Sequence, residues 1–423
     1  MEAMESGEAS SELRLVAMKD ASWFAQFRNG SNPLMARYMF SLFFLLSNLL
    51  AWAARDFIGH RFLTQTKTLS VCADESDCLG AEGVLRVSLG CFMFFVVMLF
   101  TTTGTSTSKD IRDSWHSGWW FPKILLWIGL IVLSFFLPSS YIDVYGEVAH
   151  FGAGVFLLIQ LVSIVSFINW VNDCCNSEKN VEKCHVHVMI VATTSYVVCI
   201  GGIIAMFIMY ASSSSCLLNI FFITWTLVLL QIMTSLSLHP KINGGILAPG
   251  LMGLYVVYMC WSAIRSEPLG SSCNKRTESS GRTDWLTIIV LLRFPLLLAR
   301  EILKLTDLSS QSFIIALLAI VIATFSTGVD SESFQMGGCE KEKEEGSPYN
   351  YSFFHLVFAT GTMYFAMLLI GWNSHHSLKK WTMDVGWTST WVRIINEWLA
   401  VCIYLWMLIA PILWKNMKDE VPV

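Results

Sequence analysis

Residues 148–171 read VAHFGAGVFLLIQLVSIVSFINWV, a run that is apolar over most of its length. A helix needs about 20 mostly apolar residues to cross a bilayer, and this run is long enough. Its residues do not alternate in polarity as those of a membrane β-strand do. Polar residues extend the run at both ends, so the sequence predicts one unusually long helix of about 40 residues, near 60 Å at 1.5 Å per residue.

Further apolar runs of similar length occur on both sides of this segment. They cover 33–54, 84–103, 119–137, 187–211, 216–236, 246–264, 312–327, 351–371 and 391–414. Together with 148–171 they predict an all-α, polytopic membrane protein with about ten transmembrane helices.

The composition excludes several other classes of protein. Hydrophobic residues make up 54% of the 423 positions and charged residues only 14%, whereas soluble domains carry about 25% charged residues. A net charge of −4 supplies no basic field for nucleic acid. Twelve cysteines in a chain of this length do not form a disulfide scaffold.

The chain divides into a single membrane domain and two short flanking segments. Residues 1–32 are polar and lack the apolar core of a cleaved signal peptide, so we expect a cytosolic N-terminal segment. The membrane domain covers 33–414, and 415–423 form a C-terminal tail. A slight bias of Lys and Arg favours cytosolic positions for both termini.

Cysteines fall in loops on both sides of the predicted membrane. Cys72 and Cys78 follow the first span in a loop that would be lumenal or extracellular, where a disulfide is expected and two free thiols are the alternative. On the other side, Cys174, Cys175 and Cys184 match no common zinc spacing. We therefore expect no metal and no other cofactor.

Ionisable residues inside membrane helices are candidates for function. Asp143, Glu147 and His150 stand at i, i+4 and i+7, so they share one helical face. Gln160 would lie within the bilayer and needs a polar partner. The functional interpretation is a polar strip for lipid headgroups or a small amino acid, and the structural alternative is a helix end with interhelical hydrogen bonds.

Three more polar residues belong to the same set of candidates for binding lipid or serine. They are Asn169, His355 and Glu397. For each, a hydrogen bond inside the helix bundle is the structural alternative. The sequence contains none of the common hydrolase, zinc-protease, P-loop or dinucleotide motifs, so we expect a protein that is not an enzyme.

Four blocks of sequence resemble the serine incorporator family of membrane proteins, also called the tumour-differentially-expressed family. The blocks are HSGWWFPK at 116–123, GVFLLIQLV at 154–162, GLY, WSA and SEP within 253–268, and YNYSFFH at 349–355 with WVR at 391–393 and YLWMLIAP at 404–411. They occur in the family's order, and the short loops resemble those of plant members.

The resemblance implies ten helices in two bundles joined by a long diagonal fourth helix, with lipid contacts between the bundles. It also implies a role in placing serine into phosphatidylserine and sphingolipids. The implied partners are membrane phospholipids and sphingolipids, with serine, lipid-synthesis enzymes and a second copy of the chain as further candidates. A phospholipid scramblase or a small-solute transporter is the alternative, and the implied location is the ER, the Golgi or the plasma membrane.

Two features depart from the family pattern. Many members carry Asp where this chain has Ser166, so a role for that Asp does not carry over. Segment 286–311 has no counterpart and is interpreted as an insertion. Because Arg293 and Pro295 interrupt its apolar run, we expect an interfacial segment that does not span.

Overall fold

The computed structural model describes residues 33–58, 76–105, 111–176, 181–211, 216–242, 244–268, 308–329, 349–372 and 384–419. Within these ranges every regular element is helical. The α-helices are α1 Pro33–Ala53, α2 Ser76–Thr102, α3 Ile111–Ser117, α4 Trp120–Phe136, α5 Ser139–Asn176, α6 Val181–Tyr210, α7 Leu217–Ser237, α8 Leu247–Arg265, α9 Leu308–Val329, α10 Tyr351–Ile370 and α11 Trp387–Asp419. A π-helical turn, Ala54–Ile58, continues α1.

Most of these helices are suited to crossing a membrane. Eight helices in the described part of the chain are long and apolar enough, and the bent pair α3 and α4 makes a ninth if it counts as one span. The remaining predicted segment, 312–327, corresponds to α9, whose stretch Leu317–Gly328 is a shorter apolar helix. The structure confirms an all-α, multi-pass membrane protein.

Helix α5 is the long helix that the sequence predicted, and it links two groups of helices. It contains 38 residues, which corresponds to about 57 Å at 1.5 Å per residue. Its first half contributes Ile142, Tyr145, Ala149 and Ala153 to a core shared with α1, α2, α9 and α10. Its second half contributes to another core, shared with α6, α7, α8 and α11, through the residues Leu161, Val165 and Ile168.

We call the helices α1–α4, α9 and α10 the first bundle and α6, α7, α8 and α11 the second bundle. The close packing of α5 on the first bundle depends on a small residue. A Cβ atom at Gly152 would lie 1.9 Å from the sulfur of Met363 in α10. A larger side chain at this position would therefore require the side chain of Met363 to move.

The entry to the predicted third span is a corner rather than a straight helix start. The predicted span over 119–137 corresponds to α4, and α3 precedes it as a separate helix with a bend of 68° between the two. The backbone turns at Trp119, which has a left-handed φ of 56°. Gly118 closes the end of α3 by donating its N–H to the carbonyl of Ser114.

Two predictions about loops lie outside the described residues. They concern the Cys72–Cys78 disulfide, because Cys72 and the side chain of Cys78 are not described, and segment 286–307 of the insertion. A different cysteine, Cys216 at the start of α7, is disulfide-bonded. Alternation of the predicted spans places Cys216 on the same side as Cys72, the side where disulfides form and persist.

Candidate functional site

The predicted polar face of α5 is present, and its two acids are open to the surroundings. Asp143 and Glu147 are exposed, while His150 is half-buried. His150 Nδ1 lies 2.8 Å from the carbonyl oxygen of Gly146, and its Nε2 lies 3.2 Å from the carbonyl oxygen of Trp372. His150 thus ties the polar face to the end of α10, while the two carboxylates remain available.

The register of α5 shows which way this polar face points. Leu161, Val165 and Ile168 follow Asp143, Glu147 and His150 by 18 positions each. Eighteen residues are about five turns of an α-helix, so the two sets lie on the same face, about 27 Å apart. The later set is buried in the second bundle. The two carboxylates therefore lie on the side of α5 from which the second bundle packs.

Gln160 and Asn169 are the two remaining candidates on α5. Gln160 is half-buried, and no hydrogen bond joins its amide to any described residue. It lies roughly 100° around the helix from Asp143 and so does not continue the same strip. The side chain of Asn169 lies outside the described residues.

Side chains from both bundles meet at the junction next to the polar face. Tyr364 of α10 stacks on Phe156 of α5 with ring centroids 5.1 Å apart. The same tyrosine lies within electrostatic range of Arg393 and Tyr255, which belong to the second bundle. Trp372, whose carbonyl contacts His150, packs edge-on against Tyr364 at 6.4 Å. The junction therefore combines a cation and phenols, and the contact of Trp372 with His150 links it to the polar face of α5.

His355 belongs to a separate buried cluster in the first bundle. Its Nε2 lies 3.1 Å from Nδ1 of His116, and Nε2 of His116 lies 2.9 Å from the hydroxyl of Tyr349. Tyr351 stacks on His116 at 3.9 Å and donates its hydroxyl to Asp113. His355 thus forms, through Nε2, the hydrogen bond inside the helix bundle that was the structural alternative to ligand binding. Its Nδ1 is buried without a hydrogen-bond partner in the described part of the chain.

Tyr349 lies just outside the spanning part of α10. Burial raises the pKa of its hydroxyl well above the usual range for tyrosine. Tyr349 therefore remains a neutral phenol that can exchange one hydrogen bond with His116 in either direction. The chain of three groups, Tyr349, His116 and His355, fixes the end of α3 against α10.

A buried lysine from the HSGWWFPK block stabilises the same corner. Lys123 is fully buried, and its Nζ donates to the carbonyl oxygens of His116 and Gly118 at 2.8 and 2.7 Å. The ring centroids of Trp120 and Phe40 lie 4.4 and 5.2 Å from Nζ. Carbonyl oxygens and ring faces supply negative potential in place of a carboxylate.

Two arginines that the sequence analysis did not single out act on helix ends in the same way. Arg86 donates to the carbonyl oxygens of Ser134 and Leu137 at the end of α4. Arg55 donates to the carbonyl oxygen of Leu369 at the end of α10. Each satisfies carbonyls that have no partner within their own helix. The sequence could have identified Arg86 as a candidate, because it is an ionisable residue inside a predicted span.

Glu397 lies in the second bundle, away from the polar face of α5. It is 1% exposed, and its Oε1 lies 2.8 Å from the hydroxyl oxygen of Thr226 in α7. The neighbouring Asn396 donates its amide to the hydroxyl of Tyr255. The candidates whose side chains are described thus fall into three places: Asp143, Glu147, His150 and Gln160 on α5, His355 in the first bundle, and Glu397 in the second.

These features define a class: a helical multi-pass membrane protein with two bundles, one linking helix and a polar face at their junction. The family model described as "Serine incorporator (Serinc)" matches residues 16–417, nearly the whole chain. The chain therefore belongs to the serine incorporator family, which confirms the resemblance of its four sequence blocks.

Individual relatives match over most of their length. A protein named probable serine incorporator from Nematostella vectensis is 28% identical, covering 92% of this chain and 91% of its own. Serine incorporator 3 of Bos taurus is 29% identical over 83% of each chain. A protein named probable serine incorporator from Dictyostelium discoideum is 28% identical, over 90% of this chain and 94% of its own.

Proposed function

We propose that this protein assists the incorporation of serine into phosphatidylserine and sphingolipids by binding serine or a serine headgroup between its two bundles. It forms no covalent bond with the substrate and acts as a binding partner of lipids and of the enzymes that make them. It acts in the ER, the Golgi or the plasma membrane. The observation that supports this is the exposure of Asp143 and Glu147 on the face of α5 that points towards the second bundle.

Exposed carboxylates within a membrane helix need a cationic partner. An unpaired charge is costly in hydrocarbon, so such acids face a polar cavity or pair with a cation. Free serine and its phospholipid headgroup both carry an ammonium group, which matches two carboxylates one helical turn apart. Tyr364 and Tyr255 lie within electrostatic range of Arg393 on the second bundle. The guanidinium of Arg393 is paired with Asp384, so it attracts the carboxylate or phosphate of the same ligand without giving up that contact.

We expect the substitution Glu147→Gln to weaken the binding of serine or phosphatidylserine about tenfold, which corresponds to about 1.4 kcal/mol. The change preserves the shape of the side chain and removes its charge. Binding of labelled serine, and separately of labelled phosphatidylserine, to the full-length protein in phosphatidylcholine vesicles measures the effect. Lys241→Gln, which removes one charge from an exposed loop, is the control. Equal binding by the parent and Glu147→Gln would disprove the proposal.

One observation favours the alternative of a scramblase. The amide of Gln160 lies on α5 beyond the polar face and has no hydrogen-bond partner in the described part of the chain. An unpartnered polar group at this depth is suited to a headgroup that passes along α5. We expect Gln160→Leu to slow the transfer of labelled lipid between leaflets of vesicles if the protein scrambles lipids. If the variant transfers lipid at the parent's rate, the alternative loses its support.

A further inference from the structure

Glu397 is an acid inside the core of the second bundle, and the hydrogen bonds of its carboxyl group indicate its protonation state. The Oγ1 of Thr226 lies 2.8 Å from Glu397 Oε1 and also 2.8 Å from the carbonyl oxygen of Phe222. A threonine hydroxyl has one hydrogen. The carbonyl can only accept, so if both contacts are hydrogen bonds, the second hydrogen must come from Glu397.

The second oxygen of the carboxyl group leads to the same protonation state. Glu397 Oε2 is buried and has no hydrogen-bond partner among the described residues. A carboxylate with one bare oxygen in an apolar core carries a large desolvation cost, whereas the carbonyl oxygen of a neutral acid carries a much smaller one. The observed contacts are therefore those of a carboxylic acid.

Arg393 is the nearest cation on the same helix, and it binds groups other than Glu397. Arg393 precedes Glu397 by four residues, so the two lie on one face of α11. Its guanidinium nevertheless donates to the hydroxyl of Ser262 and to the carboxylate of Asp384. The backbone N–H of Asp384 in turn donates to the carbonyl of Leu368 in α10 at 2.9 Å. Arg393 thus joins α11 to the end of the first bundle.

We propose that Glu397 is a proton-binding site of the second bundle, and that release of its proton withdraws Arg393 from Asp384. In the protonated state Oε1 donates to Thr226, and Thr226 donates to Phe222. When the proton passes to water, the carboxylate becomes an anion one helical turn from Arg393. The guanidinium is then attracted by the carboxylates of both Glu397 and Asp384, and its contact with Asp384 at the junction of the bundles weakens. Proton occupancy thereby controls how firmly the bundles are joined.

Few other ionisable groups of the described chain surround this site. From α7 the polar contact is Thr226, and α5 contributes the apolar Leu161, Val165 and Ile168 to the same core. The ionisable groups of the other packed helices are Tyr255 and Cys260 of α8, Tyr196, Cys199 and Tyr210 of α6, and Arg393 and Tyr404 of α11. Arg393 is the cation of this set, which is why it responds when Glu397 becomes an anion.

Infrared spectroscopy of the full-length protein in detergent tests the protonation state directly. We expect a C=O stretching band of a protonated carboxylic acid at neutral pH, which Glu397→Gln removes and high pH abolishes. Thr226→Val leaves the acid in place and should shift the band, because the hydrogen bond to Oε1 is lost. If Glu397→Gln removes no acid band at neutral pH, the proposal fails.

Hydrogen exchange tests the effect on Arg393. We compare the exchange of the Asp384 amide in the parent and in Glu397→Gln at the same pH, so that the intrinsic rate cancels. At neutral pH the two should be equal, because a neutral amide replaces a neutral acid. At high pH the parent should exchange faster, by up to about tenfold per pH unit for one proton released. Equal rates at every pH would disprove the link to Arg393.

Discussion

Replacing Lys123 by Met is expected to lower the free energy of unfolding by about 2–6 kcal/mol, because two buried carbonyl oxygens lose their donor at about 1–3 kcal/mol each. Those oxygens belong to His116 and Gly118, at the corner between α3 and α4. Methionine fills a similar volume, so the change removes hydrogen bonds and charge without leaving a large cavity.

The measurement is chemical denaturation of the full-length protein in detergent micelles. Lys241→Met is the matched control, because Lys241 lies exposed between α7 and α8. A surface substitution of this kind should change stability by no more than about 0.5 kcal/mol. If Lys123→Met is as stable as Lys241→Met, the lysine does not stabilise the corner, and another contact must hold α3 against α4.

The membrane helices could be predicted from the sequence because their signal is local. An apolar run such as 148–171 indicates by itself that the segment lies in the membrane. Its polar extensions indicate that α5 is longer than the bilayer is thick. The corner at Trp119 could not be predicted in this way. A tryptophan with positive φ has no sequence signature, and the short polar helix α3 lies before the apolar run that begins at Trp119.

The candidate site could be predicted only in part, because its contacts join residues that are distant in sequence. The shared face of Asp143, Glu147 and His150 follows from helical spacing alone. The partner of His355 is His116, which lies 239 positions away. Besides Glu82, the acceptors of Arg86 include backbone carbonyls 48 to 51 positions away, and no residue type marks these carbonyls. Such pairings emerge only when the helices are packed.

Replacing Arg86 by Met is expected to destabilise the protein by about 3–5 kcal/mol, the range for removing one partner of a buried ion pair. Arg86 is 1% exposed and donates to Glu82 at 2.6 Å, which also accepts the hydroxyl of Ser139 at 2.8 Å. Without the guanidinium, a buried carboxylate remains uncompensated and the last carbonyls of α4 lose their donor. Denaturation in detergent measures the loss, and Lys241→Met, at an exposed position between α7 and α8, is the control.

A double substitution separates the charge of Glu82 from the helix end that Arg86 caps. If the uncompensated carboxylate is the main cost, Glu82→Met combined with Arg86→Met should be more stable than Arg86→Met alone, with a coupling of about 1–3 kcal/mol. If the carbonyls of Ser134 and Leu137 are the main cost, the double variant should recover nothing, because they remain without a donor. If Arg86→Met is as stable as Lys241→Met, both explanations are contradicted, since water must then reach this end of α4 and replace the arginine.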